Sequence, residues 1–213
     1  MEYRNLGKSD LKVSSYCLGT MTYGETTKES DAHLQINEAI SAGINFIDTA
    51  EMYPTCPIRK ETSGKTEKII GNWINDNKSK RKDIILATKV VGNGFKYIRD
   101  GGPITKEVIK IAFYDSLKRL KTDYIDLYQL HWPNRGSYHF RSYWNYLPVK
   151  QDNNKVTDEF LGIINALDEL KKEGLVRAIG VSNETCWGVM KLNEIIKGTQ
   201  SLCIASIQNE YSL

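Results

Sequence analysis

Residues 83–91 read DIILATKVV and residues 124–132 read YIDLYQLHW. Both are short apolar runs, each about the length of one strand and each carrying a charged or polar residue near its C-terminal end. A strand that is apolar along most of its length is buried on both faces, as in a parallel sheet covered by helices. Between the two runs lies a helical pattern through Val108, Ile111, Ala112, Leu117 and Leu120. Strand, helix and strand make one βαβ unit, and repetition of that unit decides the fold class.

The unit recurs on both sides. Upstream, SYCLGT (15–20) and INFIDTA (44–50) read as strands. Each is followed by a helix: Glu29 to Ala42, with Leu34, Ile36, Ala39 and Ile40 as its apolar face and Gly43 as its stop, and then KTEKIIGNWIND (65–76). Downstream come a helix, EFLGIINALDELKKEG (159–174), a strand, VRAIGVSN (176–183), a helix, CWGVMKLNEIIK (186–197), and a strand, CIASIQNEY (203–211). Before all of these, YRNLGKSDLKVS (3–14) predicts a β-hairpin around Gly-Lys-Ser-Asp. An open doubly wound sheet normally places a glycine-rich turn after its first strand, but GTMTYG (19–24) is not a GxGxxG. Polar residues gathered at successive strand ends favour the α/β alternative, a TIM-type (β/α)₈ barrel. Six strands are legible where that barrel has eight, so residues 1–213 are expected to form one incomplete barrel domain that lacks the C-terminal units.

Composition removes other classes. With 40% hydrophobic and 26% charged residues, the chain has material for an ordinary globular core. Its 29 basic and 26 acidic residues are interspersed and the net charge is only +3, so no basic stripe points to nucleic acid or to an anionic membrane. No apolar run approaches the roughly 20 residues of a membrane helix. The polar start MEYRNLGKSD carries no secretory segment, and a cytoplasmic location is expected. Cys17, Cys56, Cys186 and Cys203 form no CxxC pair and are expected to be buried or incidental reduced thiols rather than metal ligands. Cys56 stands out only because it falls in an expected active-site loop.

The strand ends carry the chemistry. Asp48 ends INFIDTA, Tyr53 follows five residues later, Lys89 ends the DIILATKVV strand and His131 ends YIDLYQLHW. Each has an ordinary structural reading: a turn cap, a packed ring, a solvent-boundary lysine, an edge histidine. In a parallel barrel, however, these ends share one mouth, where all four converge. Together they suit acid catalysis on a carbonyl. An unperturbed phenol titrates at about 10. A neighbouring ammonium is expected to lower that value, which makes Tyr53 a better proton donor near neutrality. Asp48 holds Lys89 charged and in place, and His131 orients the substrate oxygen. The group needs no metal and has no reducing equivalent of its own, so a hydride cofactor has to be supplied.

At these residues the sequence resembles the aldo-keto reductase superfamily, within it the Tas-like branch related to potassium-channel β-subunits. The resemblance is carried by LGTMTYGE, GINFIDTAEMYP, the TKV strand end, DSLKRLKTDYIDLYQLHWP, GLVRAIGVSNET and IQNEYSL, which span almost the whole chain. It implies an NADP(H)-dependent reductase of aldehydes or ketones. Tyr53 would be the general acid, Lys89 its modulator paired with Asp48, and His131 the group that polarises the carbonyl. It further implies that Ser182, Asn183 and Gln208 surround the nicotinamide carboxamide and that Gly19, Thr20 and Met21 approach the cofactor ribose through backbone groups. Asp48 joins that cofactor set, and Tyr53, His131 and Trp132 face the substrate. For Ser182 and Asn183 the competing reading is a helix N-cap.

Family members continue through two further strands, the first with a ring that stacks on the nicotinamide, and a loop and helix that bind the adenosine 2′-phosphate. The expectation for a chain ending at residue 213 is therefore weak cofactor binding, with exposed sheet edges that favour association. The last motif reads QNEYSL where the family has QNPYSL, so Glu210 replaces a loop-stiffening proline. Two loops shape the expected mouth: residues 54–64, and residues 132–158 with Trp132, Tyr138, Phe140, Tyr143, Trp144 and Tyr146, which either line a pocket for apolar carbonyls or pack on themselves. GNGFKYIRDGG (92–102) reads as a third loop on that face. Two rival classes are a non-catalytic scaffold or regulatory barrel and an inactive truncated relic.

Overall fold

The computed structural model describes residues 1–140, 142–199 and 202–211. Arg141 of the 132–158 loop, and Ser212 and Leu213 of the IQNEYSL motif, lie outside them. The expected hairpin is present as β1 (Tyr3–Asn5) antiparallel to β2 (Lys12–Ser14). Six strands then pair in parallel and in chain order: β3 (Cys17–Gly19), β4 (Phe46–Asp48), β5 (Ile85–Val90), β6 (Ile125–Leu130), β7 (Val176–Ser182) and β8 (Ile204–Gln208). The connections carry α1 (Glu29–Ser41), α2 (Lys65–Asp76), α3 (Lys106–Leu120), α4 (Asn153–Lys172) and α5 (Cys186–Ile196). A doubly wound sheet reverses its strand order partway, whereas this one does not. The architecture is an incomplete (β/α)₈ barrel, with β3 and β8 at the two ends of the sheet among the described residues.

Strand alternation divides each strand between two environments. Leu86, Val90, Tyr128, Leu130, Ile179 and Val181 belong to the large cluster that packs against the helices. Ile85, Ala87, Leu127, Ala178 and Ala205 gather in a smaller cluster with Leu11 and Val13 of the hairpin. The hairpin therefore seals the N-terminal end of the sheet's inner face. Its turn comes close to β8: Gly7 has φ +56°, and a Cβ there would lie 2.4 Å from the Ala205 carbonyl oxygen.

Two helix faces differ from expectation. In α1 the buried positions are Ala32, Ile36 and Ala39, while Leu34 is 61% exposed. In α3 they are Ile109, Ala112, Phe113, Ser116 and Leu120, while Ile111 is 54% exposed. Residues two apart on a helix point about 200° apart, so Leu34 cannot share a face with Ile36, nor Ile111 with Ile109 or Phe113. Helix α4 begins at Asn153, within the stretch read as loop, because the Asp152 carboxylate accepts from the Asn154 and Lys155 amides and caps it. Cys17 and Cys186 are exposed, Cys56 and Cys203 are half-buried, and all four thiols are free.

Helices α2 and α3 touch through Gly71, where a Cβ would sit 2.1 Å from the Arg119 carbonyl oxygen. Gly71→Ala is expected to destabilise the protein by about 1–3 kcal/mol, the usual effect of overpacking a tight contact. Denaturant unfolding that matches the native protein would contradict this.

Candidate active site

The inward parity of the strands places Asp48 on β4 and Lys89 and Gln129 on β5 and β6, beyond the apolar layer that the hairpin covers. Lys89 is register partner to Gln129, and His131 follows β6 directly. The Lys89 Nζ donates to Asp48 Oδ2 at 2.7 Å and to the Thr49 carbonyl at 3.0 Å, and lies 3.5 Å from Tyr53 Oη. Asp48 and Lys89 are 6% and 1% exposed, so this ion pair is sheltered from solvent. The His131 ring meets the Tyr53 ring edge-on at 5.7 Å and lies 4.6 Å from Trp132. All four sequence-predicted catalytic side chains thus meet at one end of the barrel.

Their electrostatics differ from expectation in one respect. Tyr53 is displaced upward, not downward: burial raises its pKa, and the opposing effect of Lys89 is the smaller one. The lysine is partly neutralised by Asp48, and its hydrogen bond to the phenol is long. Burial alone would pull Lys89 down, but Asp48 and Tyr53 together outweigh it and hold the ammonium above its ordinary value. Burial, aided by Lys89, pushes His131 well below the usual imidazole range, so the ring is neutral at pH 7.

These side chains open onto a cavity of about 860 Å³. Met52, Ile58, Phe95, Trp132 and Phe140 give it apolar walls, and Ser182, Asn183, Gln208 and Glu210 line its polar side. Of the aromatics in the 132–158 loop, Trp132 and Phe140 take the pocket role, whereas Tyr146 borders a neighbouring cavity and Trp144 is 91% exposed. Met21 also lines the cavity, but Gly19 and Thr20 do not. The Thr20 hydroxyl, fully buried, donates to the Asp48 carbonyl. Ser182 Oγ donates to the Gln208 carbonyl at 2.8 Å, and the Asn183 amide donates to the His131 carbonyl at 3.0 Å.

The aldo/keto reductase family profile matches residues 16–213. The chain belongs to that family. It is 44% identical to the protein tas of Escherichia coli over 100% of its own length, and spans 61% of that relative. It is 33% identical, over 63% of its length, to a probable voltage-gated potassium channel subunit beta of Oryza sativa, spanning 38% of that protein. The holo form of aldo-keto reductase AKR11C1 from Bacillus halodurans superposes with a TM-score of 0.68 at 36% identity, covering 100% of this chain and 58% of that one.

Two residues of this aldo/keto reductase site escaped the sequence reading. Gln129 donates to Asp48 Oδ1 and to Gln208 Oε1, both at 3.3 Å, while Gln208 donates to Asp48 Oδ2 at 3.1 Å. Strand parity could have found it, since it lies two residues before His131 on the same face. Glu51 is 5% exposed, and its carboxylate accepts from both terminal nitrogens of the Arg99 guanidinium. No local spacing signals a pair so far apart in sequence.

Proposed function

We propose that the protein reduces aldehydes or ketones to alcohols, with NADP(H) as the hydride source and Tyr53 as the proton donor. The observation that carries this reading is the buried Lys89 ammonium, bonded at once to the Asp48 carboxylate at 2.7 Å and to the Tyr53 phenol at 3.5 Å, beside an apolar cavity.

Burial keeps the phenol protonated at neutral pH, so Tyr53 holds the proton that a nascent alkoxide needs. When that proton leaves, the phenolate faces an ammonium that Asp48 keeps charged and fixed. Neutral His131 stands beside the phenol in the cavity wall and serves to orient the carbonyl oxygen. Trp132 bounds the substrate on the same side.

The residues present fit a nicotinamide. Ser182, Asn183 and Gln208 set amide and hydroxyl groups on the wall next to Tyr53, which suits a carboxamide, and a Cβ built on Gly19 meets nothing within 4 Å, so space is open there. Gly19, Met21, Asp48, Ser182, Asn183 and Gln208 are the proposed cofactor-side residues, and Thr20, itself fully buried, stands behind them through its hydroxyl's bond to the Asp48 carbonyl. When bound, the nicotinamide supplies a hydride to the carbonyl carbon.

Incubation of the protein with NADPH and a panel of aromatic and aliphatic aldehydes is expected to yield one alcohol per NADPH oxidised, and NADPH is expected to quench tryptophan fluorescence through Trp132. Absence of carbonyl-dependent NADPH oxidation above the level of the Tyr53→Phe variant would end this reading.

A further inference from the structure

Lys89 is fixed from two sides, by Asp48 and by the Thr49 carbonyl, but the Tyr53 hydroxyl has only the long bond to Lys89 among the described residues. The distance between phenol and ammonium is therefore set by the turn that carries Tyr53. That turn continues the pairing of β4 with β5 beyond the last register partners, Asp48 and Ala87. The Thr49 amide donates to the Ala87 carbonyl at 2.9 Å and the Glu51 amide to the Lys89 carbonyl at 3.1 Å. The Glu51 carboxylate then accepts from the Val91 amide at 2.6 Å. One residue thus grips the strand at Lys89 with its backbone and at Val91 with its side chain. Two residues on, the Tyr53 amide closes the turn on Ala50, and the Tyr53 carbonyl accepts from Thr66.

The same carboxylate holds a second element. Arg99 donates to both Glu51 oxygens, at 2.7 and 2.6 Å, and to the Val91 carbonyl at 3.1 Å. Such a bidentate pair fixes direction as well as distance. Arg99 has φ +47° and Asp100 φ +56°, left-handed conformations that non-glycine residues keep only where surrounding contacts demand them. The loop so held carries Phe95, which packs 6.0 Å from Trp132 in the cavity wall, and the Trp132 indole donates to the Asn93 carbonyl at 3.1 Å.

We propose that Glu51 is a positioning residue that sets the Tyr53 phenol against the Lys89 ammonium, and that its pairing with Arg99 ties the cavity loop to the same anchor. This rests on the reading of Tyr53 as proton donor. The acceptor function of Glu51 matters for the phenol, and its charge for the loop.

The test is an alkaline titration of the protein labelled with ¹³Cζ-tyrosine, with the Tyr53 signal assigned by its loss in Tyr53→Phe. In Glu51→Ala the phenol drifts from the ammonium and its midpoint rises. In Glu51→Gln, which keeps an acceptor for the Val91 amide, the midpoint stays near native. A native midpoint in Glu51→Ala, or equal shifts in both variants, overturns the proposal. If Glu51→Ala does not fold, Glu51→Asp, too short to hold Val91 and Arg99 together, carries the same expectation. Kinetics add a second readout: kcat falls on the order of 10²-fold in Glu51→Ala, as for a reacting group displaced by about 1 Å, with KM little changed and kcat largely restored in Glu51→Gln. An enzyme inactive from the outset defeats the reductase reading alone, since the titration still decides the placement of the phenol.

Discussion

Tyr53→Phe is expected to lower kcat by about 10²–10⁴-fold with KM and cofactor affinity little changed, which corresponds to about 3–5 kcal/mol of transition-state stabilisation. The substitution removes one oxygen and keeps the ring, so the edge-on contact with His131 at 5.7 Å survives and the fold is undisturbed. Phenylalanine has no proton to give. The pH profile is a companion prediction. Burial holds the Tyr53 phenol above its ordinary range and the His131 imidazole well below its own, so neither changes protonation between pH 7 and 9. The single-turnover rate should be level across that window and fall only as pH climbs past the titration of Tyr53 itself. A Tyr53→Phe enzyme with native turnover, or a rate that falls sharply between pH 7 and 9, would mean that the proton comes from another group.

The second large effect concerns stability. Asp126 on β6 is fully buried, forms an ion pair with Arg81 at 2.9 Å, and accepts from Arg177 at 2.7 Å and from the Leu86 amide at 3.0 Å. Arg177 is 37% exposed and can turn to water, but Arg81 cannot. Its side chain is 9% exposed, stacks 3.8 Å over the Tyr124 ring, and donates to the Tyr124 carbonyl and the Thr122 hydroxyl. Asp126→Ala leaves that guanidinium buried without its counter-charge, which typically costs about 3–5 kcal/mol. For a chain of this size, Tm should fall by roughly 6–20 °C. Asp126→Asn, which retains an acceptor, should lose less. Calorimetry that finds both variants as stable as the native protein would show the ion pair to be energetically idle.

The strands and helices were legible because burial on both faces leaves the strands nearly without polar residues and the helices with a 3.6-residue period. Helix α2 has the bounds its sequence suggested, Lys65–Asp76, whereas α4 was read late because its first turn, NNKVTD, is polar and only the Asp152 cap announces it. Asp48, Tyr53, Lys89 and His131 could be found because each sits at a strand end or just beyond one. Gln129, Glu51 and Asp126 did not stand out, although Gln129 is the register partner of Lys89 and Glu51 is nearer the end of β4 than Tyr53 is. They lie inside apolar or motif-rich stretches, and their meaning comes from partners brought close by the barrel's winding. The direction of the Tyr53 shift also depended on burial, which residue types do not reveal.

The inner face of the sheet is divided along its length. Near the hairpin it is hydrocarbon, with Leu11, Val13, Leu127 and Ala178, and toward the other end it holds Asp48, Lys89 and Gln129. Folding and recognition therefore draw on different stretches of the same strands. A replacement for residues 136–151, spliced between Asn134, whose side-chain amide pairs with both backbone groups of Ile104, and the helix cap Asp152, is free to retune what the protein admits while the apolar layer stays as it is.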